Sequence, residues 1–405
     1  MKKHLLVFAA AATALTACDR IAELASGVTG EDAPQDASPD AAARDDQNAE
    51  PLAEAGVLNS IPVTDRFEPN VGAVQDVAFW SHPTLAFASL TIIAGENGLS
   101  AHVVENGAAS ATLDGRADAI EVAYLDDQGV IVGVDGASGE VFLATIDNIS
   151  QEIVEAKRVS SDLALGATGL CLATDIGVSN RATGFVIGPS GIAPLKASKI
   201  DGEIELDASS AAPALDPSMT GVTDCVIDPT TGVWFALAAD GGVWSSGGKV
   251  TSAAGARSIG LMVKRPRTDD LAADINDENG ADTDETPAPA WTPADGPILA
   301  LMSDNGEVSL IRASDGVRLG AVFLGASFDY PAIEAPTALA LGVANYGGVY
   351  RDGAIAVGDG GAVSLIPWNA VANRFALPIG DSVDPRRPQP AEDDSFRIEI
   401  SPTQP

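Results

Sequence analysis

"DVAFWSHPTLAFASLTIIAGENGLSAHVV" runs from Asp76 to Val104. Apolar runs such as Leu90–Ala94 are broken by turn formers, His82-Pro83 and Glu96-Asn97-Gly98, so the stretch reads as two or three short strands joined by tight turns. The unit is an apolar strand, an Asp-bearing turn, a second apolar strand, a Gly-rich turn and a third. It returns as "IEVAYLDDQGVIVGVDGASGEVFLATI" from Ile120, and again from Thr168 and Thr223. A fifth copy starts at Ser258 and resumes as "GPILALMSDNGEVSLIRA"; the last pairs "TALALGV" at Thr337 with "GAIAVGDGGAVSLIPW". About six such copies, with starts roughly 35 to 80 residues apart, predict an all-β chain folded as a six-bladed β-propeller. No long stretch has helical periodicity, which disfavours α/β folds. A pair of β-sandwiches is the alternative architecture.

The chain has 405 residues, 46% of them hydrophobic but only 5% aromatic, with 41 Gly and 25 Pro. That composition suits many short strands and many turns. With 57 acidic against 23 basic residues the formal charge is −34, which argues against nucleic acid and anionic lipid surfaces as partners.

Lys2 and Lys3 precede an apolar run, Leu5 to Ala14, too short to span a bilayer. This pattern predicts a secretory signal over residues 1–17. The tetrad Leu15-Thr16-Ala17-Cys18 resembles the processing site of bacterial lipoproteins, which implies that Cys18 becomes the lipid-modified first residue of the mature protein. The expected location is the bacterial cell envelope, facing the periplasm or cell surface, with the membrane reached only through the lipid. Residues 18–60, centred on "EDAPQDASPDAAARDDQNAEP", read as a disordered acidic tether, and 379–405 as a flexible tail. The propeller itself is assigned to 61–378. It carries an acidic insertion over 265–296, "RPRTDDLAADINDENGADTDETPAPAWTPADG" from Arg265 on, expected to be a disordered loop between strands of the fifth blade. With Cys18 lipidated, Cys171 and Cys225 remain in an oxidising compartment where a disulfide between them is an open expectation. Neither has the spacing of a metal site.

The opening "DVAFWSHPTLAFASLTIIAGENGL" and the closing "IPWNAVA" (Ile366 to Ala372) resemble the β-propeller phytases, the 3-phytase family. "TGLCLA" and "VTDCVIDPTTG" fall where that family has its Gly-Leu-Cys-Leu and Gly-Cys-Val-Ala-Asp segments, and the resemblance spans about residues 65 to 375. It implies a six-bladed phosphomonoester hydrolase acting on myo-inositol hexakisphosphate, with Ca2+ held by carboxylates facing the central opening. It also supports a Cys171–Cys225 bridge between the third and fourth blades.

Charged groups that the family uses are missing. Its lysine-bearing turn reads Ala94-Gly95-Glu96-Asn97-Gly98-Leu99, and its calcium stretches read Arg257-Ser258-Ile259-Gly260-Leu261 and Pro336-Thr337-Ala338-Leu339. These departures predict a phytase-like propeller with weakened or lost activity. The alternative is a non-catalytic envelope propeller that binds a protein or a small ligand, an inositol phosphate among them. Asp76, Glu121, Asp135, Asp224, Asp240 and Asp359 remain as candidate calcium ligands, each weighed against service as a turn cap. His82 is expected to serve its turn and His102 to be a packed or surface strand residue. Trp80, Trp234, Trp244 and Trp368 are read as equivalent inter-blade packing positions.

Overall fold

The computed structural model describes residues 60–162, 164–189, 191–208, 221–266 and 291–387. The signal segment, Cys18 and most of the proposed tether lie outside the described residues, as do 267–290 and 388–405. The described residues form six small sheets, a six-bladed β-propeller.

Two short N-terminal strands come first, β1 (Ser60–Pro62) and β2 (Asp65–Phe67). Blade 1 is β3 (Val74–Trp80), β4 (Leu90–Gly95), β5 (Gly98–Val103) and β6 (Ala109–Asp114). Blade 2 is β7 (Ala119–Leu125), β8 (Gln128–Asp135), β9 (Glu140–Ile146) and β10 (Ile153–Ser160). Blade 3 is β11 (Gly169–Thr174), β12 (Arg181–Gly188), β13 (Gly191–Ile200) and β14 (Glu203–Ala208). The fourth blade has shorter strands: β15 (Val222–Ile227), β16 (Trp234–Ala238), β17 (Gly242–Ser245) and β18 (Gly248–Ser252). In blade 5 are β19 (Ala256–Met262), β20 (Ile298–Ser303), β21 (Glu307–Arg312) and β22 (Arg318–Gly325), with β1 added in parallel beside β22. The sixth has only β23 (Pro336–Gly342), β24 (Ala354–Asp359) and β25 (Ala362–Pro367) of its own. Its fourth strand is β2, antiparallel to β25 with Asp65 opposite Leu365 and Phe67 opposite Val363.

Burial explains the strand chemistry. The middle strands β4 and β25 are buried at every residue, so they read as continuous apolar runs, Leu-Thr-Ile-Ile-Ala-Gly and Ala-Val-Ser-Leu-Ile-Pro. Outer strands face water on one side and carry the polar residues, as in β6, whose pattern alternates half-buried and exposed. The apolar faces meet between blades: Trp80 and Ile92 of blade 1 share a core with Tyr124, Ile131 and Phe142 of blade 2. Each fully buried Leu, Ile or Phe of this kind contributes about 1.5–3 kcal/mol of transfer free energy. The inner strands β3, β7, β11, β15, β19 and β23 contact one another in that cyclic order and enclose the axis.

Four sequence expectations change. The tryptophans are not equivalent: Trp80 ends an inner strand, Trp234 and Trp244 lie half-buried on β16 and β17, and Trp368 opens a short helix, α1 (Trp368–Arg374). That helix was not expected, since seven residues are too few to show a period. Within the acidic insertion, Trp291 is fully buried and donates its Nε1–H to the Gly296 carbonyl, so residues 291–296 pack as a turn leading into β20. Nor are residues 379–387 a loose tail. Arg265 and Asp381 form a bridge, Val383 is buried and donates its N–H to Val343 O, Arg386 reaches Ser81 O, and Arg387 pairs with Asp127.

The blade 1–blade 2 contact is tight. A Cβ on Gly129 would lie 2.1 Å from Nε1 of Trp80. Gly129→Ala is therefore expected to destabilise the chain by about 1–3 kcal/mol through overpacking. Urea unfolding should show a lowered midpoint at unchanged slope.

A candidate ligand-binding mouth on the propeller axis

The inner strands begin near one end of the axis, and four of them have a register shift there: between Val74 and Asp76 on β3, Val222 and Asp224 on β15, Ala256 and Ser258 on β19, and Pro336 and Ala338 on β23. A bulge turns the following side chain out of the regular alternation. On β3 and β15 it frees an aspartate to reach the next blade. Asp76 Oδ1 accepts the N–H of Val77 and Oδ2 that of Ile120 on β7, both at 2.8 Å. Asp224 repeats this on the far side, accepting from Cys225 at 2.8 Å and from Ile259 of β19 at 3.0 Å. Blades 1 and 4 thus each carry an aspartate stitch to the following blade, three positions apart in a ring of six.

Asp76, Asp224 and Glu121 of β7 line a narrow axial channel of about 140 Å³. Its walls are otherwise largely apolar, with Leu170, Leu172, Leu261, Leu339 and Leu341 among them, and Tyr124, Tyr346 and Pro385 are also in its lining. Burial pushes the Asp76 carboxyl up to about 8; the backbone N–H of Ile120 opposes the rise and the charge of Asp224 adds to it. Burial likewise lifts Asp224 to about 7 against its two backbone donors. Glu121 is raised well above the ordinary carboxylate range, first by burial and then by the charge of Asp76. These side chains are half-buried by surface exposure. The channel is nonetheless narrow, and its enclosure dominates their titration.

The channel widens at the bulged end into a cavity of about 1030 Å³, lined by residues of all six blades. Two arginine–aspartate pairs stand in its wall. In blade 2 Arg116 grips Asp118 with Nε at 3.0 Å from both oxygens and Nη2 at 2.6 Å from Oδ1. Asp118 Oδ2 also accepts the N–H of Gly136 at 2.8 Å, which ties the pair to the β8–β9 turn. In blade 5 Arg257 pairs with Asp304. Thr168, Thr223 and Thr337 stand between these pairs around the wall.

Of the six candidate ligands, Asp76, Glu121 and Asp224 come together in the channel and the other three stand apart. Asp135 caps its own turn, accepting from the N–H groups of Ala137 and Ser138. Asp240 accepts from Gly242 N–H at 2.8 Å. Asp359 is held by Arg66 of β2 at 3.2 and 3.3 Å. Among the described residues no three His, Cys, Asp or Glu side chains are placed to hold a metal ion together. Both oxygens of Asp76 and of Asp224 accept backbone N–H groups. Reading the sequence missed Arg116, Asp118 and Asp304 as wall residues; the Arg-x-Asp pattern beside Gly115 was the one local signal.

Away from the mouth, His82 Nδ1 accepts the N–H groups of Thr84 and Leu85, shaping the β3–β4 loop. Its ring titrates below the usual range, chiefly because it is desolvated. His102 is buried, bonded to Ser100 Oγ and Gly107 O, and stacks on Phe67 at 4.8 Å between ring centres. Cys171 of β11 and Cys225 of β15 form a disulfide between blades 3 and 4. Among the described residues no helix is long and apolar enough to cross a membrane.

No protein-family model and no curated protein matches this chain. Among solved structures it is similar to "Crystal structure of the Saccharomyces cerevisiae Sqt1", at 13% identity and a TM-score of 0.40, over 76% of this chain and 99% of that one. At that level the likeness bears on no functional question.

The channel acids make stability depend on pH in a defined sense. Their folded pKa values lie above the unfolded value of about 4, so between the two the native state holds more protons than the unfolded chain. Their contribution is complete below about pH 4 and is lost as pH rises toward the folded values of about 7 for Asp224 and about 8 for Asp76. Glu121→Gln should melt like the parent at about pH 3.5 and above it at pH 9. Equal melting temperatures at pH 9 would remove Glu121 from this account.

Proposed function

We propose that this chain is a non-catalytic binding propeller of the bacterial envelope that takes a small ligand in the axial mouth. One observation carries the reading: a cavity of about 1030 Å³ at one end of the axis, to which every blade contributes. Its volume is at the upper end of the range for small-molecule sites. A phytase-type hydrolase, implied by the resemblance, needs carboxylates free to hold cations and basic groups free to hold phosphate. Here the turn that carries lysines in that family reads Glu96-Asn97, and Arg116 and Arg257 each stand beside an aspartate whose charge opposes a phosphate. Binding is the reading these contacts support.

Two measurements test it together. Phosphate release from inositol hexakisphosphate, with and without calcium, should stay at background; release that needs calcium would restore the hydrolase. A low-molecular-weight envelope extract should raise the melting temperature of the parent but not of Ala137→Trp, which fills the mouth from an exposed wall position. A shift that survives in Ala137→Trp would move recognition elsewhere.

The envelope assignment rests on the Leu-Thr-Ala-Cys tetrad ending at Cys18. Expressed in a bacterium with labelled palmitate, the parent chain should take up label and Cys18→Ser should not. Label in both would break the assignment.

A further inference from the structure

The two arginine–aspartate pairs of the mouth belong to blades 2 and 5, which face each other across a six-bladed ring. Each pair offers a guanidinium fork for a carboxylate and, beside it, a carboxylate for an ammonium group. All four residues line the cavity; the blade-5 pair is exposed, 71% for Arg257 and 55% for Asp304, whereas in the blade-2 pair Arg116 is 39% exposed and Asp118 11%. An exposed pair such as Arg257–Asp304 adds little to stability, so it can exchange partners with a ligand at small cost; the blade-2 pair meets a ligand chiefly through Arg116, its more exposed member. The wall between them presents neutral groups such as Thr168, Thr223 and Thr337. On the floor, Asp76 and Asp224 are occupied by backbone donors.

From this arrangement we propose that the mouth binds a small molecule with two zwitterionic α-amino-carboxylate heads joined by a neutral chain, one head on each arginine–aspartate pair. The inference rests on the mouth being the binding site. At each end the ligand carboxylate accepts from the arginine while its ammonium donates to the aspartate, giving an alternating cluster of four charges. A dicarboxylate would confront Asp118 and Asp304 with like charge, and a diamine would do so with Arg116 and Arg257. A single-headed amino acid uses one wall and leaves most of the cavity to water.

Calorimetric titration of the purified protein tests this with 2,7-diaminooctanedioate as the two-headed probe. Octanedioate, 1,6-diaminohexane and norleucine serve as anionic, cationic and single-headed comparators. The two-headed probe is expected to bind at least tenfold more tightly than each comparator. Arg257→Gln, at an exposed position, should reduce it to the level of norleucine, and Arg116→Gln with Arg257→Gln should abolish binding; circular dichroism checks that each variant is folded. Octanedioate or diaminohexane binding as tightly, or unchanged binding in the double variant, overturns the inference. So does the absence of heat from the two-headed probe. If envelope extract still shifts the parent but not Ala137→Trp in that case, the mouth remains a binding site for another class and only this inference falls.

Discussion

A ring of sheets must close, and here one short strand borrowed from the other end of the chain completes the last blade beside the apolar core that blades 6 and 1 share. β2 supplies three residues to blade 6, nearly 300 positions away in sequence from the strand it pairs with. So distant a pairing pays a large loop entropy, and side chains reinforce it. Arg66 reaches Asp359 and Ser364, the Tyr350 hydroxyl donates to Asp65, and Phe67 stacks on His102 of blade 1. Phe67 thus lies on blade 6 and touches blade 1, which makes the borrowed strand a clasp across the seam. Without the closed ring there is no axis, and neither channel nor mouth would exist.

The interfaces around the ring are unequal. Blades 1 and 2 share an extensive apolar core, while the fully buried cluster between blades 3 and 4 is small: Cys171, Ile187, Ile192, Cys225 and Ala236. Blade 4 has the short strands β16 and β17, which cover less of its neighbour. The disulfide lies in that thin seam. A cross-link there limits the opening of the ring where hydrophobic burial does least to prevent it.

The axis shows a compromise of a different kind. Asp76 and Asp224 bond neighbouring strands through backbone N–H groups, a role any carboxylate can fill, but they do so in a narrow channel with several leucines in its wall. Enclosure favours the neutral acid and the backbone donors favour the anion; enclosure wins, and the pKa values rise. The arginine–aspartate pairs sit further out, in the wider mouth. Charge that can meet a ligand is thereby separated from charge that would weaken the ring.

By itself the sequence determined the local structure: strand runs, turn positions and an approximately six-fold repeat are near-neighbour properties, written in apolar spacing and in Gly, Asp and Asn. It also placed the fifth-blade interruption between β19 and β20, although the packing of Trp291 depends on partners the local pattern does not name. Only the tertiary structure decided which acids meet. Asp76, Glu121, Asp135, Asp224, Asp240 and Asp359 look alike as acids near strand ends, yet two bulges and the ring geometry send three of them to the axis and leave the others capping turns or pairing with Arg66. The same holds for β2 and for residues 379–387, whose partners lie on distant blades. Contacts of that kind are fixed by closure of the ring, and no short window of sequence contains it.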